Sequence, residues 1–399
     1  MTLLDDAKVI TTANSYKAGT LYSIKPDSGA CDLDIARSTT ATRVNPAGNI
    51  ESVAINAPQI DYTDGCGCLW IEPASTNLML YSEELDNATN WKPGDNVVVT
   101  ANQTTSPDGT ENADVCTVDH TSAQMYQNVS LAANTTYTWS FYAKRGTMTD
   151  AKMLVNNRNG DGAYVSRTSY YSQISATGWS RISVTFTTGS NAGDTFFYPI
   201  QVPGVLGYMF LWGFQLEVHT ADLNKETSYI PTTSAAVSRT ASSFIKTGVS
   251  GTIGSSEGVY FAEIAYFHNG TSAIDAQSLI GLNDSNNDAI YQIGKWGTSF
   301  IAFTRDNAGN NVLFSNSVTV ASEAFVKMAI KYKAGDHAYW KDGVEIATST
   351  DATAIPATQD RIISSYKGNS GFWEFYGKIR TLQVYNTALS DAQLTSLTS

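Results

Sequence analysis

Apolar positions along this chain recur every second residue, and almost nowhere every third or fourth. Tyr137, Trp139 and Phe141 alternate with Thr138 and Ser140, and Ile182, Val184 and Phe186 alternate with Ser183, Thr185 and Thr187. A period of two sorts side chains onto the two faces of a strand. Phe210, Trp212, Phe214, Leu216 and Val218 extend the pattern as one long apolar face. Turn signals such as Asn159-Gly160-Asp161-Gly162 and Gly189-Ser190-Asn191 separate the runs. Residues 76–244 therefore predict a β-sandwich of the jelly-roll kind.

A second set of strands fills residues 245–399. Val259-Tyr260-Phe261, Leu279-Ile280, Ile290 to Ile293, Phe300 to Phe303 and Val312-Leu313-Phe314 are joined by Asn-, Asp- and Gly-rich segments. Val326, Met328, Ile330 and Tyr332 alternate with Lys327, Ala329, Lys331 and Lys333, which predicts a half-buried strand with a basic outer face. Asp342-Gly343 is a two-residue hairpin signal in which both turn positions need positive φ. One helix is predicted, at the C-terminus, where Ser390 and Gln393 match a capping box and Leu389 with Leu394 a hydrophobic staple. Its expected role is to cover a sheet edge. Residues 1–75 hold only short apolar pieces, broken by Pro26, Gly29, Pro46, Gly48 and Pro58. They predict a small irregular module that packs on a neighbour or another subunit. The fold class is all-β: two tandem β-sandwiches behind an irregular N-terminal module, with one short C-terminal helix.

Composition narrows the function classes. Charged residues are only 16% of the 399, so Ser, Thr, Asn, Gln and Gly must carry the surface. A formal charge of −12 argues against nucleic acid and anionic membrane surfaces as partners. No stretch approaches the ~18 apolar residues of a membrane span. Asp5, Asp6 and Lys8 leave no apolar core for a secretory signal, so synthesis in a cytoplasm is expected. Asn-x-Ser/Thr triplets at Asn87, Asn102, Asn128, Asn134 and Asn269 then carry no glycosylation meaning.

Catalytic signatures are missing from the sequence. A glycosidase needs two carboxylates across a sugar cleft, yet no Glu-x-Asp-x-x-Glu run occurs, and Glu83-Glu84 falls in a predicted loop. Neither Gly-x-Ser-x-Gly, His-Glu-x-x-His nor a Gly-rich phosphate loop is present, and His120, His219, His268 and His337 are scattered singly. No catalytic residue is assigned, and a non-enzymatic protein is expected. Cys66-Gly67-Cys68 lacks a second matching pair, so buried or free thiols, with Cys31 and Cys116, are preferred to a zinc site.

Three segments together resemble structural proteins of bacteriophage virions. Residues 37–80 resemble a module with a Thr-rich Arg-Val-Asn stretch, a Pro-Arg-Ile-Asp box, here Pro58-Gln59-Ile60-Asp61, and a Leu-Glu-Pro…Thr-Asn-Leu box. Gln59 stands where that family has Arg. The run LWGFQLEVHTADLNKETSYIPTTSAAVSRTA is similar to the closing strand and exit linker of carbohydrate-binding-module-like jelly rolls in such proteins. AYWKDGVEIAT and GKIRTLQVYNTALSDAQL resemble the laminin-G-like, concanavalin A-like sandwich. The resemblance implies a phage surface protein, a capsid-decorating head fibre or similar, whose lectin-like domains give weak multivalent adhesion to host-surface glycans. A tail-fibre receptor-binding protein is the alternative, and a polysaccharide depolymerase the alternative of another class. Implied partners are other capsid or tail proteins, glycans, and further copies of the chain as a dimer or trimer, at the virion surface after synthesis in host cytoplasm.

No cofactor is required on this reading. The resemblance implies a structural calcium ion held by Glu217 with Asp86, whereas alternation alone makes Glu217 a solvated strand carboxylate. Asp284, Asn286 and Asp288 open like a calcium loop, but Ala289 stands where the sixth position needs Gly, and a hairpin turn explains them better. Sugars stack on exposed rings while amides, carboxylates and Arg take the hydroxyls. Among 8 Trp and 21 Tyr, Trp139 and Trp212 read as core. Trp296, between Gly294 and Gly297, is the leading candidate, with Tyr170, Tyr171 and Tyr291 as further rings and Asn283, Asp284 and Arg305 as polar partners.

Overall fold

Alternation becomes antiparallel sheet throughout the computed structural model, which describes all residues except 1–2, 94–95, 121, 159, 204, 220–224, 255, 267–276, 285–288, 297–298, 307, 320–323, 356–357 and 366–372. Asn286, Asp288, Gly297, His268 and Asn269 lie outside the described residues. The strands gather into two compact units, and the units are interleaved in sequence. One comprises residues 41–52 and 74–239; the other comprises residues 1–40, 53–73 and 240–399.

The unit of residues 41–52 and 74–239 is a jelly-roll sandwich of two five-stranded sheets. Its first sheet runs Val97–Thr104, Ala113–Val118, Gly207–Val218, Thr136–Arg145, Ser180–Thr187. Its second runs Gly162–Ser169, Lys152–Asn157, Asp194–Pro203, Ser122–Ser130, Lys92–Pro93. Tyr137, Trp139 and Phe141 point between the sheets as their alternation requires, beside Phe197, Phe214 and Val155. Burying such rings contributes roughly 1.5–3 kcal/mol each.

The closing strand departs from simple alternation. Met209 and Leu211 face the core, but so do Phe214 and Leu216. A bulge against Thr136–Arg145 separates the two pairs, with Gly213 at φ +65° inside it. The extra residue exchanges the two faces. Trp212 leaves the apolar stripe expected from sequence and turns to the outer side, where it packs with Tyr229, Ile50 and Ala113.

The other unit is a larger sandwich. Its nine-stranded sheet runs Thr20–Lys25, Val9–Lys17, Gly377–Tyr385, Glu257–Tyr266, Val326–Lys333, His337–Lys341, Val344–Ser349, with Ile60–Asp61 and Cys68–Ile71 added beside Gly377–Tyr385. The facing seven-stranded sheet ends in Ser243–Thr247 and Ile35–Ala36. Residues 1–40 and 53–73 thus supply strands to this sandwich rather than a separate N-terminal module. Their short apolar pieces find a core by pairing with strands more than 200 residues away, a link no local pattern encodes. In the Pro58-Gln59-Ile60-Asp61 box, Gln59 Nε2 donates to Glu72 Oε2 at 2.6 Å, both side chains buried. The amide of Gln59 therefore faces an acid within the fold.

Local signals at the C-terminal end hold. Asp342 and Gly343 both have positive φ and join His337–Lys341 to Val344–Ser349. The helix Asp391–Thr398 has a complete capping box from Ser390 and Gln393. It covers a sheet face rather than an edge: Leu389 and Leu394 pack on Val259, Ala329, Ala338 and Trp340.

Candidate functional site

Each sandwich has outer faces, and their cover decides which residues meet a ligand. On the jelly roll, the first sheet is covered. The ribbon Ala41–Val44 and Ile50–Val53 and the segment carrying Tyr229 lie over Trp212, with Tyr142 and Trp179 alongside. Beneath that cover lies Glu217, only 1% exposed. Its carboxylate accepts from the Thr227 backbone N–H at 2.8 Å, Thr227 Oγ1 at 2.8 Å, Gln215 Nε2 at 3.1 Å and Ser75 Oγ. Arg239 Nη1 in turn donates to Thr227 Oγ1 and to Ser228 Oγ. Neither the calcium-ligand nor the solvated reading fits Glu217, whose oxygens are spent on protein donors. Asp86 is exposed. Its neighbour Asp114 is buried and accepts from the Leu85 and Asn102 backbone N–H groups, and burial raises its pKa to about 6. Among the described residues no group of three or more His, Cys, Asp or Glu side chains is placed to hold a metal ion.

The second sheet of the jelly roll presents a different outer face. Tyr126 lies 5.4 Å from Phe196 and 5.3 Å from Tyr198, centroid to centroid. The guanidinium of Arg158 sits over all three rings, at 4.8 Å from Phe196, 5.5 Å from Tyr198 and 5.7 Å from Tyr126. Such cation–π contacts contribute about 0.5–1 kcal/mol at exposed positions. Burial raises the Tyr198 phenol above its ordinary pKa, and the Arg158 charge opposes the rise. Asn156 is register partner to Phe196, and its Oδ1 is buried with no hydrogen-bond partner. Farther along, Arg167 Nε donates to Gln201 Oε1, and Gln201 pairs with Gln124. Rings and guanidinium groups on one face form the chemistry that binds polyhydroxylated ligands.

A bulge builds this face. Met125 pairs with Ile200 and Gln127 with Phe197, so one extra residue lies in Asp194–Pro203. Phe197 and Ile200 both reach the core, while Phe196, Tyr198 and Gln201 share the outer side. Pro199 sits inside the irregularity, where a missing N–H is tolerated. Alternation arguments miss this cluster because the parity changes in mid-strand; the Pro within an aromatic strand was the available signal.

Of the predicted jelly-roll rings, neither is offered to solvent as a platform. Tyr170 is fully buried, and its hydroxyl donates to the Pro199 carbonyl at 2.7 Å. Tyr171 is half-buried with Arg145 stacked 4.2 Å from its ring, and Arg145 also donates to its carbonyl.

In the larger sandwich, the seven-stranded sheet gathers part of the predicted set. Trp296 is 39% exposed and meets Phe314, 46% exposed, edge-on at 6.3 Å. Gln292, Phe303 and Phe314 are successive cross-strand partners on that side. Arg305 is half-buried over the Phe303 ring at 4.8 Å, and Gln292 Nε2 donates to Asn283 Oδ1 at 2.6 Å. Asn283 is itself fully buried, and Asp284 follows it half-buried. Tyr291 is excluded from this face. It points the other way and stacks on Tyr332 at 3.8 Å in the core, because it alternates with Gln292 along the strand. Of the cysteines, Cys66 is exposed and Cys31, Cys68 and Cys116 are buried and unbridged; burial pushes the Cys68 thiol up to about 12.

Comparison with known proteins assigns both sandwiches. Residues 79–198 match the family described as a carbohydrate binding domain, and residues 264–395 the concanavalin A-like lectin/glucanases superfamily. No curated protein matches the chain. Among solved structures, the CBM40 of a Ruminococcus gnavus IT-sialidase bound to alpha2,3 sialyllactose is 18% identical over 36% of this chain and 83% of its own, with a TM-score of 0.31. The CBM22-1 xylan-binding domain of a Paenibacillus barcinonensis protein is 14% identical over 36% of this chain and 92% of its own, TM-score 0.26. The enzymatically active domain of bacteriophage CBA120 tailspike protein 4 is 17% identical over 36% of this chain and 21% of its own, TM-score 0.29. The chain carries a carbohydrate-binding domain and, after it, a concanavalin A-like lectin domain.

Proposed function

We propose that this chain is a non-enzymatic glycan-binding protein of the bacteriophage surface, decorating the capsid as a head fibre or similar projection. The observation that carries the glycan reading is the outer jelly-roll face on which the exposed Arg158 lies over half-buried Tyr126 and Phe196 and buried Tyr198, on the domain whose family is a carbohydrate binding domain. The exposed Trp296–Phe314 pair offers a second, smaller platform on the lectin domain. The phage setting rests on the resemblance of residues 37–80 and of the closing strand to virion proteins. Single platforms of this size bind weakly, and display in many copies raises avidity by roughly 10²–10⁴ where geometry allows.

Glycan-array binding of the full chain and of Tyr126→Ala tests the adhesive role. The substitution is expected to weaken jelly-roll binding about tenfold, a loss of ~1.4 kcal/mol, with circular dichroism unchanged. Undiminished binding would remove this face from the reading. Immunogold microscopy with antibody to residues 245–399 tests the setting: gold over the head fits decoration, gold at the tail tip a receptor-binding fibre, and no gold sinks the virion assignment. Release of reducing sugar from a bound polymer would replace adhesion by depolymerisation.

A further inference from the structure

The jelly-roll face also has a charge signature. This chain has 37 acidic against 25 basic residues, yet its aromatic face carries Arg158 at one end and Arg167 toward the other. Both are exposed, and among the described residues neither is ion-paired. Lys152 on the adjoining strand is neutralised by Asp150 at 2.9 Å, and Arg380 and Arg43 elsewhere hold glutamates at 3.0 and 2.7 Å. Asp194, at the head of the strand bearing Phe196, makes no ion pair with Arg158.

Stacking orients what remains free. A guanidinium laid over rings keeps its planar N–H edge outward, and that edge matches a carboxylate in bidentate fashion. The rings beneath Arg158 also exclude water, which strengthens a charge-assisted hydrogen bond. Asn156, register partner to Phe196, borders the rings as a half-buried polar neighbour. The stretch from Phe196 to Gln201 spans roughly 16 Å at ~3.3 Å per residue, long enough for several sugar units.

We infer that this face takes an acidic glycan, a polysaccharide whose sugars bear carboxylates, with Arg158 and Arg167 receiving charges along one chain and Tyr126 and Phe196 stacking the sugar between them. The inference rests on the glycan-binding reading above and adds the substrate class. Electrostatic attraction to such a polymer must overcome the overall −12 charge, so recognition depends on these two local cations and weakens with salt.

The test is titration of the full chain with polysialic acid, hyaluronate, alginate and polygalacturonate, each beside its carboxyl-reduced form. At least one acidic polymer is expected to bind, with affinity falling tenfold or more on carboxyl reduction and again in Arg158→Gln, and a smaller loss in Arg167→Gln. Circular dichroism establishes that each variant is folded. Equal binding of acidic and reduced polymers, indifference to Arg158→Gln, or no binding of any acidic polymer would overturn the inference. Tyr126→Ala separates the two levels. If it abolishes binding of neutral polymers that Arg158→Gln leaves untouched, the glycan-binding face stands and only its acidic specificity falls.

Discussion

Four donors converge on the carboxylate of Glu217, and that convergence decides its role. A charge so deeply covered persists because every lone pair is directed at an N–H or O–H group. Removing it strands the Thr227 backbone N–H, two hydroxyls and an amide at once. Glu217→Ala is therefore expected to destabilise the jelly roll by about 2–4 kcal/mol in urea unfolding, equally in excess calcium and in chelator. A loss that appears only when calcium is present would restore the metal-ligand role. Side-chain chemistry at this position was legible in the sequence; its surroundings were not. The partners Ser75 and Thr227 lie 142 and 10 residues away in the chain, and alternation says only which face a residue takes, never what covers that face.

Strands and hairpins are the level at which sequence reading succeeded most. The Asp342-Gly343 turn and the Ser390–Gln393 cap form from neighbours a few residues apart, so their signals are local and reliable. Bulges are the exception. Gly213 on the closing strand and the Tyr198–Pro199 region each add a residue that exchanges the two faces, misplacing Trp212 and concealing the Tyr126 cluster. Gly213 is held at φ +65°, and a Cβ there would approach the Tyr142 ring at 3.0 Å. Gly213→Val is expected to cost about 1–3 kcal/mol, read as a lower urea midpoint at unchanged slope. An unchanged midpoint would mean the bulge relaxes and does not fix the faces.

The whole molecule is organised by pairing between distant segments. Gly377–Tyr385 is flanked by Val9–Lys17 and Glu257–Tyr266 and extended by Cys68–Ile71, so the lectin sandwich depends on chain that precedes the jelly roll in sequence. A fragment of residues 240–399 alone would expose that strand as an open, apolar edge. It is expected to aggregate or to lack near-ultraviolet circular dichroism, whereas a monomeric, cooperatively unfolding fragment would refute the interleaved core. The sequence by itself determined the all-β class, the two sandwiches, the core rings Trp139 and Phe141 and the terminal helix, because period-two patterning and capping are local properties of the chain. Only the tertiary structure decided that the first 73 residues belong largely to the last sandwich, that Tyr291 and Tyr170 are core, and that Tyr126, Phe196, Tyr198 and Arg158 share a face. Strand order and bulge position are set by which distant edges bury the most apolar surface together, a competition that involves the whole chain at once.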